Sequence, residues 1–181
     1  MKYMFASDIH GSAYYCRKML DAYKEEKAER LVLLGDLLYH GPRNDLPKEY
    51  APKEVIPMLN AMKNEIYAVR GNCEAEVDQM VLQFPVMADY CILNLEGRTF
   101  YATHGHVYNE NNLPPLQEGD ILIHGHTHVL RAELRKGYTL LNPGSVSIPK
   151  EGNPPTYAVL EDGVFTIKDF DGNIIKEMRL G

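Results

Sequence analysis

Side chains able to ligate a metal, seven of them Asp8, His10, Asp36, Asn72, His104, His126 and His128, recur along the chain in five short clusters. These are Asp8-Ile9-His10, Gly35-Asp36, Gly71-Asn72-Cys73-Glu74, Thr103-His104-Gly105-His106 and Gly125-His126-Thr127-His128. Asp, His and Asn offer oxygen and nitrogen donors of intermediate hardness, suited to Mn, Fe, Co, Ni or Zn. Asp8 and His10 stand two apart, so an extended segment would turn both side chains to one face, and His126 and His128 repeat the spacing. Asp36 is alone in its cluster, and a lone carboxylate between two half-sites is the natural bridge for two ions. Asn72 adds a neutral carboxamide oxygen and His104 one more nitrogen. Seven donors with one shared give four protein ligands per metal, leaving positions for water and phosphate oxygens. Two divalent cations roughly 3.5–4 Å apart would clamp a phosphoryl displacement and lower the pKa of a bridging water towards ~7. In-line attack of that hydroxide on a small phosphate ester is then the expected step, with the protein supplying positioning and charge neutralisation.

Each cluster also has a plainer reading when taken singly. Asp8 after a strand could cap the next helix, Gly35-Asp36 could be a strand-to-loop turn, and a lone His104 could be a satisfied core residue. What separates the readings is the joint pattern, because every cluster ends a predicted strand. Ligands of open α/β sheets bind outside the carboxyl ends of the strands, so the clusters are expected to converge on one crevice. A closed structural zinc site is disfavoured, since such sites are usually four-ligand sets rich in Cys.

The elements that must position these groups follow from periodicity. Lys2–Ala6 is a strand candidate, and Leu31–Leu34 and Ile66–Val69 are apolar runs, as strands buried on both faces should be. Ser12 is placed to cap a helix with Cys16, Met19, Leu20 and Tyr23 on one face. A Pro-rich loop from His40 to Pro52 precedes a second helix, about Lys53–Met62. Strand, helix, strand, helix, strand implies a parallel sheet with right-handed crossovers. Further on, Cys91–Leu95 and Thr99–Ala102 read as a hairpin pair, followed by strands at Ile121–Ile123, Tyr138–Leu141, Tyr157–Glu161 and Val164–Phe170. Many strands and few helices there predict a second sheet packed on the first, within one domain over 1–181.

Composition bounds the rest. The 181 residues are 45% apolar and 24% charged with a net charge of −6, the balance of a soluble globular protein. An acidic chain without a Lys/Arg cluster near the motifs argues against long nucleic acid as a partner. A small phosphate ester is compatible, because bound cations reverse the local field. Three scattered cysteines form no disulfide framework, no apolar run approaches a membrane span, and a reducing cytoplasm is the expected setting. The His40–Pro52 loop is long for a compact domain and is expected to cover the site or form an interface, which leaves a homo-oligomer open.

The ordered set Asp8-x-His10, Gly35-Asp36, Gly71-Asn72, His104 and Gly125-His126-x-His128 resembles the calcineurin-like metallophosphoesterase superfamily over nearly the whole chain. His40-Gly41-Pro42-Arg43-Asn44 and Asn142-Pro143-Gly144-Ser145-Val146-Ser147 are similar to its compact bacterial and archaeal phosphodiesterase branch. The resemblance implies a four-layer α/β/β/α sandwich of two mixed sheets flanked by helices. It implies Asp8, His10, Asp36 and His128 around one metal and Asp36, Asn72, His104 and His126 around the other, with manganese the usual activating ion and phosphodiesters the usual test substrates. Where the superfamily commonly has a His after Gly-Asn, serving as general acid, this chain has Cys73. A thiol lacks imidazole's reach and cationic charge, so good leaving groups are expected to be preferred. The catalytic candidates are therefore Asn72, Cys73 and His106, the last two residues beyond His104 and so able to face the same crevice. Arg43 is the candidate for binding phosphate bidentately. A phosphomonoesterase of the same fold and a non-catalytic scaffold, such as the retromer-coat subunit in the superfamily, are the competing readings.

Overall fold

A computed structural model describes residues 1–181 and lays two mixed sheets face to face. The chain opens with β1 (Tyr3–Ala6), α1 (Ala13–Glu25), β2 (Arg30–Leu33), α2 (Pro52–Asn60), β3 (Ile66–Ala68) and a short α3 (Glu76–Val81). Then come β4 (Tyr90–Leu95), β5 (Arg98–Thr103), β6 (Asp120–Ile123), β7 (Arg131–Arg135) and β8 (Tyr138–Asn142). The chain closes with β9 (Thr156–Glu161), β10 (Val164–Asp169) and β11 (Ile174–Arg179). The first sheet runs β11-β10-β9-β1-β2-β3, with β1, β2 and β3 parallel as their crossover helices require. The second runs β4-β5-β6-β8-β7, with β5, β6 and β8 parallel between antiparallel edges.

The apolar runs of β1 and β2 are continuous because each of these strands feeds two cores. Successive side chains point to opposite faces. Met4, Ala6, Leu31 and Leu33 therefore pack towards α1 and α2, while Phe5, Val32 and Leu34 pack towards the second sheet. Between the sheets, the Phe5 ring lies 6.1 Å from Phe100 and 5.8 Å from Phe165. Helix α1 starts where Ser12 Oγ accepts the Tyr15 N–H at 3.2 Å, and it buries Cys16, Met19, Leu20 and Tyr23 as the periodicity predicts. Helices α1 and α2 cover the outer face of the first sheet, and α3 stands beside α2, tied by Asn60 Nδ2 donating to the Val81 carbonyl. The outer face of the second sheet carries no helix. There Tyr101, Leu122 and Leu140 are covered by Leu116 from the irregular 105–119 segment and by Tyr138.

Because Phe5 joins the two sheets at full burial, Phe5→Ala is expected to cost about 3–5 kcal/mol in urea unfolding. Leu46→Ala, at a position 63% exposed, should stay within about 0.5 kcal/mol.

Candidate metal centre

The predicted donors sit on loops that leave the carboxyl ends of β1, β2, β3, β5 and β6, and those loops are stitched together. Asp8 N–H donates to the Gly35 carbonyl at 3.1 Å, His10 N–H to Asp36 O at 2.9 Å, and Gly125 N–H to His104 O at 2.8 Å. The two sheets meet where His126 N–H donates to Asp8 Oδ2 at 3.0 Å. Glycine is required where backbones approach side chains. A Cβ on Gly71 would stand 2.1 Å from Asp36 Oδ1, and one on Gly125 would stand 1.9 Å from Ser7 Oγ.

The local backbone corrects one expectation. Asp8-x-His10 and His126-x-His128 are not extended: the φ angles are 59° and 49° in the first pair and 63° and 60° in the second, with 57° at Asp36. These non-glycine residues occupy the left-handed region, which persists only where surrounding contacts over-determine it. The pairs do repeat one geometry, as expected, but through alternating left-handed residues.

The side chains form two overlapping groups. In the first, His10 Nε2 lies 3.5 Å and His128 Nε2 3.3 Å from Asp8 Oδ1, with the two Nε2 atoms 3.3 Å apart. In the second, His104 Nε2 lies 3.1 Å from Asn72 Oδ1 and 3.2 Å from His126 Nδ1. Asp36 Oδ2 stands between the groups, 3.6 Å from His10 Nε2 and 3.4 Å from His104 Nε2. Its other oxygen accepts the Cys73 N–H at 2.9 Å, so Oδ2 alone faces the centre.

The hydrogen bonding of the rings tests whether cations fit. Nδ1 of His10, His104 and His128 faces the carbonyls of Tyr39, Leu34 and Ile148 at 2.8, 2.6 and 2.7 Å. A carbonyl only accepts, so each Nδ1 carries hydrogen and each neutral ring aims its Nε2 lone pair inward. Lone pairs 3.3 Å apart beside two buried carboxylates call for positive charge between them. Asp8 Oδ1 is also buried without a hydrogen-bond donor. Divalent ions satisfy both conditions, so the donor set fits a metal pair.

Without metal, protons take that place. Burial disfavours charge on His104, but the Asp36 hydrogen bond and the Asp8 and Asp36 charges outweigh it and push its pKa up to about 9. His10 is raised in the same way against its burial, chiefly by Asp8. Asp8 is held well below the carboxylate range, the His10 and His128 contacts overcoming its desolvation. Burial and the neighbouring His104 charge push His126 down to about 4.

Several buried groups hold this arrangement. Glu74 accepts N–H groups from Asp36 at 2.8 Å, Leu37 at 2.7 Å and Gly71 at 2.5 Å, fixing two donor loops at once. Ser145 and Ser147 hydroxyls donate to the Asp8 carbonyl at 2.9 and 3.0 Å. Asn142 Nδ2 donates to Gly125 O at 2.9 Å and to Thr127 Oγ1 at 3.2 Å. His124 closes β6 as a buried ring facing Glu110 at 3.1 Å. The sequence reading gave Glu74 no role, although its position two residues after Asn72 is the signal that a carboxylate returns to the same loops.

The remaining candidates divide. Cys73 Sγ lies within 4.8 Å of the His10 and Asp36 donor atoms, and burial and the Asp36 charge push its pKa up. Arg43 lines the cleft above the donors with Gly41, Pro42 and Asn44, so the long loop forms its wall. His106 stands beside the centre rather than in the cleft lining, its ring 5.4 Å from that of His104. Lys150, which the motifs did not flag, lines the cleft and is fixed by its N–H donating to His128 O at 3.0 Å.

A family model described as the calcineurin-like phosphoesterase superfamily domain matches residues 1–162. Phosphodiesterase YfcE of Escherichia coli (strain K12) is 48% identical over 167 residues, 92% of this chain and 91% of that protein. Probable metallophosphoesterase YsnB of Bacillus subtilis (strain 168) is 27% identical over 191 residues, 99% of this chain and 97% of that one. The solved structure of YfcE, described as a phosphoesterase from E. coli, superposes with a TM-score of 0.98 at 46% identity, covering 100% of both chains.

Since protons and metal compete for the same nitrogens, metal binding should release protons. His104, raised to about 9, is protonated below that pH and must lose its proton to ligate, so apparent affinity should rise with pH up to about 9. Calorimetric titration with Mn at neutral pH, in two buffers of different ionisation enthalpy, should report at least about one proton released per chain. A buffer-independent heat would show that His104 does not carry the extra proton at neutral pH.

Proposed function

The chain belongs to the calcineurin-like phosphoesterase superfamily and is a phosphoric ester hydrolase, and on that premise we propose that it hydrolyses small phosphodiesters at a dinuclear centre of divalent cations, manganese for preference. The observation that carries the dinuclear reading is Asp36 Oδ2, which faces an imidazole nitrogen of each donor group at 3.6 and 3.4 Å. Asp8, His10, Asp36 and His128 would hold one ion, and Asp36, Asn72, His104 and His126 the other. Bound there, the ions would supply Lewis acidity for activating water and neutralising phosphoryl charge.

The protein's own groups do the positioning. The carbonyls of Tyr39, Leu34 and Ile148 lock three imidazoles in one tautomer, so no proton rearrangement is needed among them once the ions are bound. Asn72, exposed at the cleft, would hold an ion through its carboxamide oxygen and lies where an entering phosphate would pass. Cys73 holds its proton firmly, so it is a poor general acid and leaves expulsion of the alcohol to the alcohol's own acidity. Phenolate leaving groups therefore suit the site better than alkoxides. Three free thiols fit a reducing cytoplasm, and no helix is long and apolar enough to cross a membrane.

The test is to strip the protein with chelator and assay bis(p-nitrophenyl) phosphate and p-nitrophenyl phosphate with Mn, Zn, Mg, Ni or no metal. Turnover should return with a transition metal, favour the diester, and fall by at least about 100-fold in Asp36→Asn and His128→Ala. Faster turnover of the monoester would replace the reading with a phosphomonoesterase, and two bound ions without any turnover would favour a scaffold.

Cys73→His should raise kcat on an alkyl diester by about tenfold or more while changing the phenolate ester little, because imidazolium can protonate a poor leaving group. An unchanged alkyl rate would show that this position does not serve as general acid.

A further inference from the structure

The cleft itself narrows the substrate class, an inference that rests on the phosphodiesterase reading. Its volume is about 390 Å³, and no Phe, Tyr or Trp side chain lines it. Pro42 is the one hydrophobic residue in the lining. The aromatic rings of the adjoining loop are engaged with one another, Tyr39 lying 4.7 Å and Tyr50 5.2 Å from His40. A nucleobase or aryl arm draws its affinity from stacking and apolar contact, and beyond Pro42 and the two imidazoles of the donor set the lining offers little of either.

What the lining offers instead is charge. Arg43 and Lys150 are both exposed at the cleft. The Lys and Arg side chains that form ion pairs are Lys2, Arg17, Arg70, Arg131, Arg135 and Lys168, so these two are uncommitted. They are the cationic side chains of the cleft. Both are mounted on anchored backbone. Asn44 Nδ2 donates to His40 O at 2.8 Å across the Arg43 turn, and the Lys150 N–H donates to His128 O at 3.0 Å. Metal ions held by the donor set would neutralise the reacting phosphate, which leaves Arg43 and Lys150 available for a second anion. We propose that, among diesters with leaving groups of equal acidity, the preferred substrate is small and non-aromatic with an anionic group, carboxylate or phosphate, on one arm, which Arg43 and Lys150 bind.

The test uses the Mn-loaded full chain and follows hydrolysis by phosphorus NMR. Four diesters are compared, with a glycerol, a glycerate, a phosphoglycerol or a nucleoside arm, and bis(p-nitrophenyl) phosphate reports basal turnover. Either anionic arm should exceed the glycerol arm in kcat/KM by about tenfold at low salt, with the excess shrinking as ionic strength rises. The glycerate and phosphoglycerol arms tell which anion is preferred. Lys150→Met and Arg43→Met should each cut the preference by about threefold, and the double variant should bring it near parity. Calorimetry should agree without turnover: 3-phosphonopropionate should bind more tightly than propylphosphonate, and the double variant should erase the difference. A nucleoside arm as good as the anionic ones, or a preference that survives the double variant, overturns the proposal. Turnover of bis(p-nitrophenyl) phosphate with no discrimination among arms overturns this inference alone. Failure to turn over any of the diesters overturns the parent reading and this one with it.

Discussion

Burying Asp8 and Asp36 beside one another costs free energy that apolar packing cannot offset, because a desolvated carboxylate is stabilised only by positive charge and by hydrogen-bond donors. Backbone N–H groups satisfy the outer oxygen of each: His126 N–H for Asp8 and Cys73 N–H for Asp36. The inner oxygens face one another's imidazole partners, and only cations complete that centre. Much of the surrounding structure serves to keep this demand from being met in some other way. Carbonyls fix the ring tautomers, Glu74 holds the Asp36 and Gly71 loops by three N–H groups, and the Asn142–Ser147 segment holds the Asp8 carbonyl and the Gly125 loop.

That arrangement carries strain. Five of the seven donors sit at positive φ, where a non-glycine residue costs about 1–2 kcal/mol. Such a cost is tolerable only on a scaffold with stability to spare, and the two apolar layers on either side of β1 and β2 provide it. The short turns that result are what let donors two residues apart point into one centre. An extended backbone would also align them, but it would carry the chain straight on, away from the next strand's loop.

The ordered clusters and the buried strands of the first half were readable because their signal is local. A continuous apolar run ending in Gly and a polar donor is a complete statement about a strand and its carboxyl end. The left-handed backbone was not readable, since Asp and His tolerate that region only when distant contacts impose it. Helix α3 escaped because none of its residues is buried, leaving no apolar stripe. Strand β11 escaped because Ile174–Arg179 is a largely exposed edge strand whose pairing with β10 depends on tertiary context. Strand β7 lies at the other sheet's edge, with Leu134 76% exposed, and its pattern is equally weak. Glu74 was visible as a residue but not as a support, because its three partners lie in two loops 34 to 38 positions apart from one another or from it in the chain, or right beside it.

Donors from both sheets meet at this one centre, and this ties stability to chemistry. Asp8, His10, Asp36 and Asn72 come from the first sheet, and His104, His126 and His128 from the second. Apolar contacts between the sheets, such as Phe5 against Phe100, are non-directional and tolerate small sliding motions. The polar centre does not, since each donor must keep its place to within a fraction of an ångström. The sheet interface therefore supplies apolar cohesion between the two halves, while the Asp8 carboxylate bonded to His126 N–H supplies the register. An ion pair bound between the sheets would act as a cross-link at the point where directional contacts are needed most, so occupancy and fold stability are thermodynamically linked.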